Sequence, residues 1–143
     1  MRAKEFLNRA YRIDCRINSK FEQLERLKAL SSASSVHYGT EAVSHTRRTD
    51  TLENNVIRII EAENELNEQI DALVAVKQEI QQVIDLVADQ DCRMLLEMRY
   101  LCMKQWQDIG AELELGRTQT YNLHKKALQM VDTVLRTMEA QYG

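Results

Sequence analysis

The sequence predicts an all-α protein, a long antiparallel helical hairpin followed by a C-terminal three-helix unit. Three observations predict it. The 143 residues include no proline and only four glycines, so the residues that break helices are scarce. Apolar residues recur at three- and four-residue steps before residue 88, which is the spacing of amphipathic helices. Between residues 105 and 124 the apolar positions have the spacing of two short crossed helices.

The first helix is predicted over about residues 2–31. Its apolar positions at helical spacing are Phe6, Ala10, Ile13, Ile17, Phe21, Leu24 and Leu27. A Ser/Thr-rich stretch without periodicity follows, and we expect residues 31–49 to form a flexible loop. At its end stand Arg47 and Arg48, for which solvated charge is a simpler interpretation than contact with phosphate.

The second helix is predicted over residues 51–88. Asp50 and Glu53 have the spacing of a capping box. Alternating steps of four and three residues from Leu52 to Val87 select eleven positions, of which nine are apolar. This is the pattern of a coiled coil, and we call these eleven positions the seam of the second helix. A helix about 57 Å long cannot cover its own seam, so we expect antiparallel packing against the first helix. The surplus seam predicts a homodimer or a higher oligomer.

The C-terminal part is predicted to start where Asp89 and Asp91 interrupt the seam. A short helix is expected over about residues 91–103, followed by a helix-turn-helix over about 105–124. We therefore expect two domains, a hairpin arm of residues 1–89 and a helix-turn-helix module of residues 90–143.

The helix-turn-helix pattern predicts contact with the major groove of DNA. Its buried positions are predicted to be Ile109, Leu113, Leu115, Leu123 and Ala127. Seven donor-rich side chains are left to point outward from the second helix and are predicted to contact DNA: Arg117, Thr118, Gln119, Tyr121, Asn122, Lys125 and Lys126. We expect Arg117 and Asn122 to meet bases and the two lysines to meet phosphates. The alternative is a solvated helix face on a unit that contacts protein.

Charge is strongly segregated along the chain although the net charge is only −3. Residues 1–50 hold ten Lys/Arg against six Asp/Glu, and residues 51–91 hold two against ten. Residues 92–143 hold seven against six, so the DNA-reading segment is nearly neutral. Any basic surface for DNA must therefore be local.

Several classes of protein are disfavoured. No apolar run of roughly eighteen residues and no apolar N-terminal core exist, which predicts a cytoplasmic protein without a membrane partner. Cys15, Cys92 and Cys102 are odd in number and lack Cys-x-x-Cys spacing, so neither a disulfide nor a zinc site is expected. His124 has no ligand partner at helical spacing, and no nucleophile arrangement can be assembled. We expect no enzyme activity, no cofactor and no metal.

Three segments resemble the helix-turn-helix with which bacterial sigma factors read the −35 promoter element: Leu96-Glu-Met-Arg-Tyr-Leu101, Trp106-Gln-Asp-Ile-Gly-Ala-Glu-Leu113 and Tyr121-Asn-Leu-His-Lys-Lys-Ala-Leu128. Over its whole length, from Ala3-Lys-Glu-Phe-Leu-Asn8 onward, the chain resembles small phage and prophage proteins of Gram-positive bacteria, of the ArpU/RinA type of late-gene transcription regulators. The resemblance implies transcription control in a bacterial cytoplasm, with double-stranded DNA as partner and RNA polymerase as a further candidate.

Two positions depart from the usual helix-turn-helix pattern. Glu114 stands where glycine is usual, and a left-handed backbone there costs about 1 kcal/mol. Gly116 stands where a serine or threonine often caps the recognition helix. The phase of that helix is therefore open by one residue. Two other functions also remain open: a small-terminase-like DNA-recognition subunit for genome packaging, and a polymerase-binding adaptor that reads no bases.

Overall fold

The computed structural model describes residues 2–35 and 45–142, and this part of the chain is all-α, as predicted. Its helices are α1 (Ala3–Ser35), α2 (His45–Asp85), α3 (Gln90–Leu96), α4 (Trp106–Leu113) and α5 (Arg117–Tyr142). A single π turn (Glu97–Leu101) continues α3. Within the described ranges, no helix combines the length and the apolar character needed to cross a bilayer.

The loop predicted over residues 31–49 is wrong at both ends. The first helix continues to Ser35 and the second already begins at His45, so Arg47 and Arg48 belong to a helix. Residues 36–44 lie outside the described residues. Extending an existing helix costs far less than nucleating one, and a run of serine and alanine therefore need not end it. For the same reason the capping pattern at Asp50 does not mark a helix start.

By its contacts the chain divides into unit 1, formed by Met1–Ile13 and Leu73–Gly143, and unit 2, formed by Asp14–Ala72. Within unit 2, α1 and α2 run antiparallel. Lys20 pairs with Glu65 at 2.8 Å and Lys28 pairs with Glu63 at 3.8 Å, so the partner number falls as the α1 number rises. The domain boundary near residue 89 stays a prediction.

Unit 1 holds the main hydrophobic core. Leu7, Ile84, Leu96 and Val131 are fully buried and come from α1, α2, α3 and α5, so four helices share one core. The first turn of α1 is held in place because the amide of Ala3 donates to a carboxylate oxygen of Asp132 at 2.7 Å. This packing fixes the first turns of α1 beside the C-terminal helices.

The apolar positions predicted to form one seam on α2 face two directions. Leu66 and Ile80 are buried. In contrast, three seam positions of unit 2 and the neighbouring Ile60, which is not a seam position, share another face and are 40–53 % exposed: Leu52, Val56, Ile60 and Ile70. At about 100° per residue, this second face is roughly a quarter of a turn from the buried one. We name these four residues the α2 stripe.

Candidate nucleic-acid interface

The start of α3 is fastened to α5 by Asp89. Its carboxylate accepts a hydrogen bond from the amide of Cys92 at 3.0 Å and caps α3. The other oxygen pairs with the ammonium of Lys126 at 2.9 Å. The hydrogen bond from the Cys92 amide and the hydrogen bond from Lys126 together lower the pKa of Asp89 to about 2, so the carboxylate stays charged at neutral pH. Lys126 therefore has a protein partner.

The π turn that follows α3 places Arg99 against α4. The guanidinium donates to the backbone oxygen of Lys104 at 3.0 Å and lies 4.7 Å from the centre of the Trp106 ring. A cation over an indole face is attracted by the ring quadrupole. Arg99 thus holds the connection between the π turn and α4, and π geometry of this kind is frequent at functional sites.

The turn between α4 and α5 has the left-handed residue of a helix-turn-helix. Glu114 has φ 57° and ψ 40°, and the amide of Leu115 donates to the oxygen of Gly110 at 2.8 Å. A glutamate accepts this backbone at a cost of about 1 kcal/mol. The chain therefore keeps the usual turn without the usual glycine.

The crossing of α4 and α5 depends on Gly110. A Cβ added there would lie 3.1 Å from the oxygen of Leu115 and 3.2 Å from Oγ1 of Thr120. The hydroxyl of Thr120 donates a hydrogen bond to the backbone oxygen of Gly116 at 2.8 Å, so it is not free to move away. Ile109 and Ala127 are buried, as predicted, and the predicted core positions Leu113, Leu115 and Leu123 are half-buried.

Helix α5 begins at Arg117, which settles its phase. Gly116 precedes it, and the amide of Gly116 donates to the side-chain oxygen of Gln119 at 3.2 Å. This contact is the backward half of a capping box, in which the third helical residue reaches back to the cap. Gln119 therefore stabilises the helix start, and this contact engages its side-chain oxygen.

All seven residues predicted to contact DNA are exposed, but they lie in different surroundings. Thr118, Asn122 and Lys125 are spaced by four and three residues and share one outward face, which we name the reading stripe. Arg117 and Tyr121 are roughly a quarter of a turn away on the flank beside α4, where they line a cleft. Of the seven predicted residues, those of the reading stripe therefore share one solvent-facing side of α5 away from α4.

His124 joins three elements of the module, a role that no motif in the sequence indicates. Its Nε2 lies 2.7 Å from the hydroxyl of Tyr100, and its ring centre lies 4.4 Å from that of Trp106. Burial, together with the charges of Lys4 and Arg99, lowers the pKa of His124 from 6.5 to about 4. The imidazole is therefore neutral at pH 7.

Acidification is expected to destabilise the module through His124. The unfolded chain binds the proton near pH 6.5, whereas the folded chain excludes it down to about pH 4. This stabilising contribution is complete above pH 6.5 and is lost as the pH falls toward 4, because the unfolded state binds more protons there. Urea unfolding near pH 7 and pH 5 measures it. His124→Gln should show a smaller difference between the two pH values than the parent, and an equal difference would contradict the assignment.

The sequence profile of a family described as "Protein of unknown function (DUF1492)" matches residues 30–132. The chain belongs to this family. No curated protein and no solved structure matches the chain.

Proposed function

We propose that this chain is a sequence-specific DNA-binding transcription regulator of the late-gene type found in phages and prophages of Gram-positive bacteria. The observation that carries the proposal is the reading stripe, Thr118, Asn122 and Lys125, exposed on the second helix of a helix-turn-helix. Such a protein would act on double-stranded DNA in the bacterial cytoplasm. RNA polymerase is a further proposed partner.

The chemistry of the reading stripe suits a groove. An asparagine amide can both donate to and accept from an adenine edge. Threonine and lysine donate to phosphate oxygens and fix the register of the helix. None of the three has a hydrogen bond or ion pair from its side chain to another described residue, so their polar groups are available to DNA.

The sequence predicts a base contact for Arg117, but Arg117 and Tyr121 lie on the flank beside α4. We therefore propose that both contact the DNA backbone beside the groove rather than the bases at its centre. Lys126 contributes less positive charge, because its ammonium already pairs with Asp89. The basic surface around the stripe is therefore small. We expect modest affinity from one module, and two modules bound together are needed for tight binding.

We propose that a second copy of the chain covers the α2 stripe. Between residues 52 and 72, α2 carries six Asp/Glu and one Arg, whereas residues 14–32 of α1 carry four Lys/Arg and three Asp/Glu. Packing two α2 segments together would bring like charges into contact. Packing α1 of the second copy on the stripe instead places a segment of net charge +1 beside a segment of net charge −5. Phe21 on that helix is half-exposed and supplies apolar surface. A four-helix arrangement with two-fold symmetry results.

Ile60→Asp is expected to weaken this dimer about 30-fold. Each subunit would lose the burial of a half-exposed isoleucine, and two such losses amount to about 2 kcal/mol. Sedimentation equilibrium across a concentration series measures the dissociation constant. Asn54→Asp adds the same charge to the same helix away from the stripe and should leave the constant unchanged. A parent that is monomeric at tens of micromolar would contradict the proposal.

Footprinting of the parent protein on the phage or prophage genome that encodes it tests the function. Protection at a promoter is the expected result, with two half-sites if the dimer binds. Protection only at a packaging sequence would move the protein to the terminase class. If no DNA is protected at low salt, the proposal of DNA reading is wrong and the adaptor alternative replaces it.

A further inference from the structure

A cleft lies on the flank of α5 next to the reading stripe. It has a volume of about 830 Å³ and is lined by α1, the π turn, α4 and the first turns of α5, all within unit 1. Sites for small molecules have volumes of about 300–1,000 Å³. The cleft is therefore large enough for a ligand that the proposed contact with DNA does not account for.

The lining of the cleft is cationic. Lys4, Arg99 and Arg117 line it, and no carboxylate among the described residues does. Lys4 and Arg117 are exposed, and among the described residues neither forms an ion pair. Three cations around one recess, in a chain whose net charge is −3, make this recess a local attractor for anions.

The wall of the cleft is aromatic and held in place. The Trp106 ring contacts two groups of the wall: its centre lies 4.7 Å from the Arg99 guanidinium and 4.4 Å from the centre of the His124 ring. The Tyr100 hydroxyl is hydrogen-bonded to His124, and Tyr100 is only 5 % exposed, so it forms the buried part of the wall. Tyr121, in contrast, is 66 % exposed and offers a ring face. Flat aromatic groups stack on such rings.

We propose that the cleft binds a small anion in which a phosphate is joined to a flat aromatic ring, and that a nucleoside monophosphate is representative of the class. The phosphate meets the three cations, and the ring stacks on the exposed face of Tyr121. A DNA duplex does not fit this description, since its bases are stacked inside the helix and cannot reach the aromatic wall.

Occupancy of the cleft also opposes binding to DNA. Arg117 and Tyr121 line the cleft and belong to the residues predicted to contact DNA, so both ligands use the same side chains. By linkage each ligand weakens the other by the same factor. This competition rests on the proposed function, whereas binding of the nucleotide does not.

Trp106 is the only tryptophan of the chain, so its fluorescence reports on the cleft directly. We expect adenosine or guanosine 5′-monophosphate to change its emission along a saturable curve. Adenosine and inorganic phosphate, added separately, should each bind at least about tenfold more weakly. The variant that combines Lys4→Gln and Arg117→Gln should also lose at least about tenfold in affinity, since bonds to charged groups are strong.

Arg136→Gln removes an exposed cation of α5 outside the cleft and should bind like the parent. The site is refuted if neither nucleotide changes the Trp106 emission along a saturable curve up to millimolar concentration. It is also refuted if the variant with Lys4→Gln and Arg117→Gln binds the nucleotide as well as Arg136→Gln does. Adding the nucleotide to a DNA complex tests the competition, and an unchanged DNA affinity would refute it while leaving the site intact. Nucleotide binding by a protein that binds no DNA would refute the proposed function alone.

Discussion

Leu96→Ala is expected to lower the free energy of unfolding by about 2–5 kcal/mol, because it leaves a cavity in a packed core. Leu96 has no exposed surface and packs in the cluster that includes Tyr100, Ala127 and Val131. The loss should therefore affect the helices that carry the reading stripe. Urea unfolding followed by circular dichroism measures the change.

Leu86→Ala is the matched control for Leu96→Ala. Leu86 is 62 % exposed, and surface substitutions usually change stability by less than about 0.5 kcal/mol. A similar loss in the two variants would show that the core of unit 1 is not arranged as described.

Gly110→Val is expected to destabilise the protein by about 1–3 kcal/mol, because overpacking a close helix crossing displaces neighbouring atoms. The first atom added already meets the oxygen of Leu115 at 3.1 Å and Oγ1 of Thr120 at 3.2 Å. The oxygen is part of the backbone turn and cannot rotate away. We also expect lower affinity for DNA, because α4 and α5 must separate. Urea unfolding measures the first effect.

Gly110→Ala separates the steric effect from helix propensity. Alanine favours a helix over glycine by about 1 kcal/mol, and this gain offsets the cost of the tight contact. We therefore expect Gly110→Ala to have a stability close to that of the parent. If Gly110→Val is as stable as Gly110→Ala, the close crossing at this residue is wrong.

The all-α class was predictable because helical spacing runs through most of the chain, and the absence of proline leaves it uninterrupted. The ends of the helices were not. Serines such as Ser35 tolerate a helix that is already formed, so composition alone could not place the end of α1. Which part of the α2 seam is covered could not be predicted either, because the spacing of Leu52 and Leu66 is the same although Leu66 is buried and Leu52 is exposed.

The exposure of the seven residues of the candidate interface was predictable, but the different surroundings of these residues were not. The positions Ile109 and Ala127 were correctly assigned to the core, since crossed helices require apolar residues there. The spacing of Gly116 and Gln119 is that of a capping box, but the glycine at the cap position hides the usual signature. The pairing of Lys126 with Asp89 joins residues that are distant in the sequence, so local spacing does not specify it. The aromatic group around His124 likewise joins residues that are distant in the sequence.

The central claim is that the reading stripe recognises bases, and Asn122→Ala tests it most directly. Fluorescence anisotropy on the footprinted site should show a loss of about 1–3 kcal/mol for the preferred base pair and little discrimination among bases there. Lys125→Ala should weaken binding to all sequences alike and reduce the salt slope by about one charge. Gln129→Ala, an exposed α5 change one turn beyond Lys125, should bind like the parent. If Asn122→Ala keeps the parent's affinity and base preference, the helix does not read DNA through this stripe.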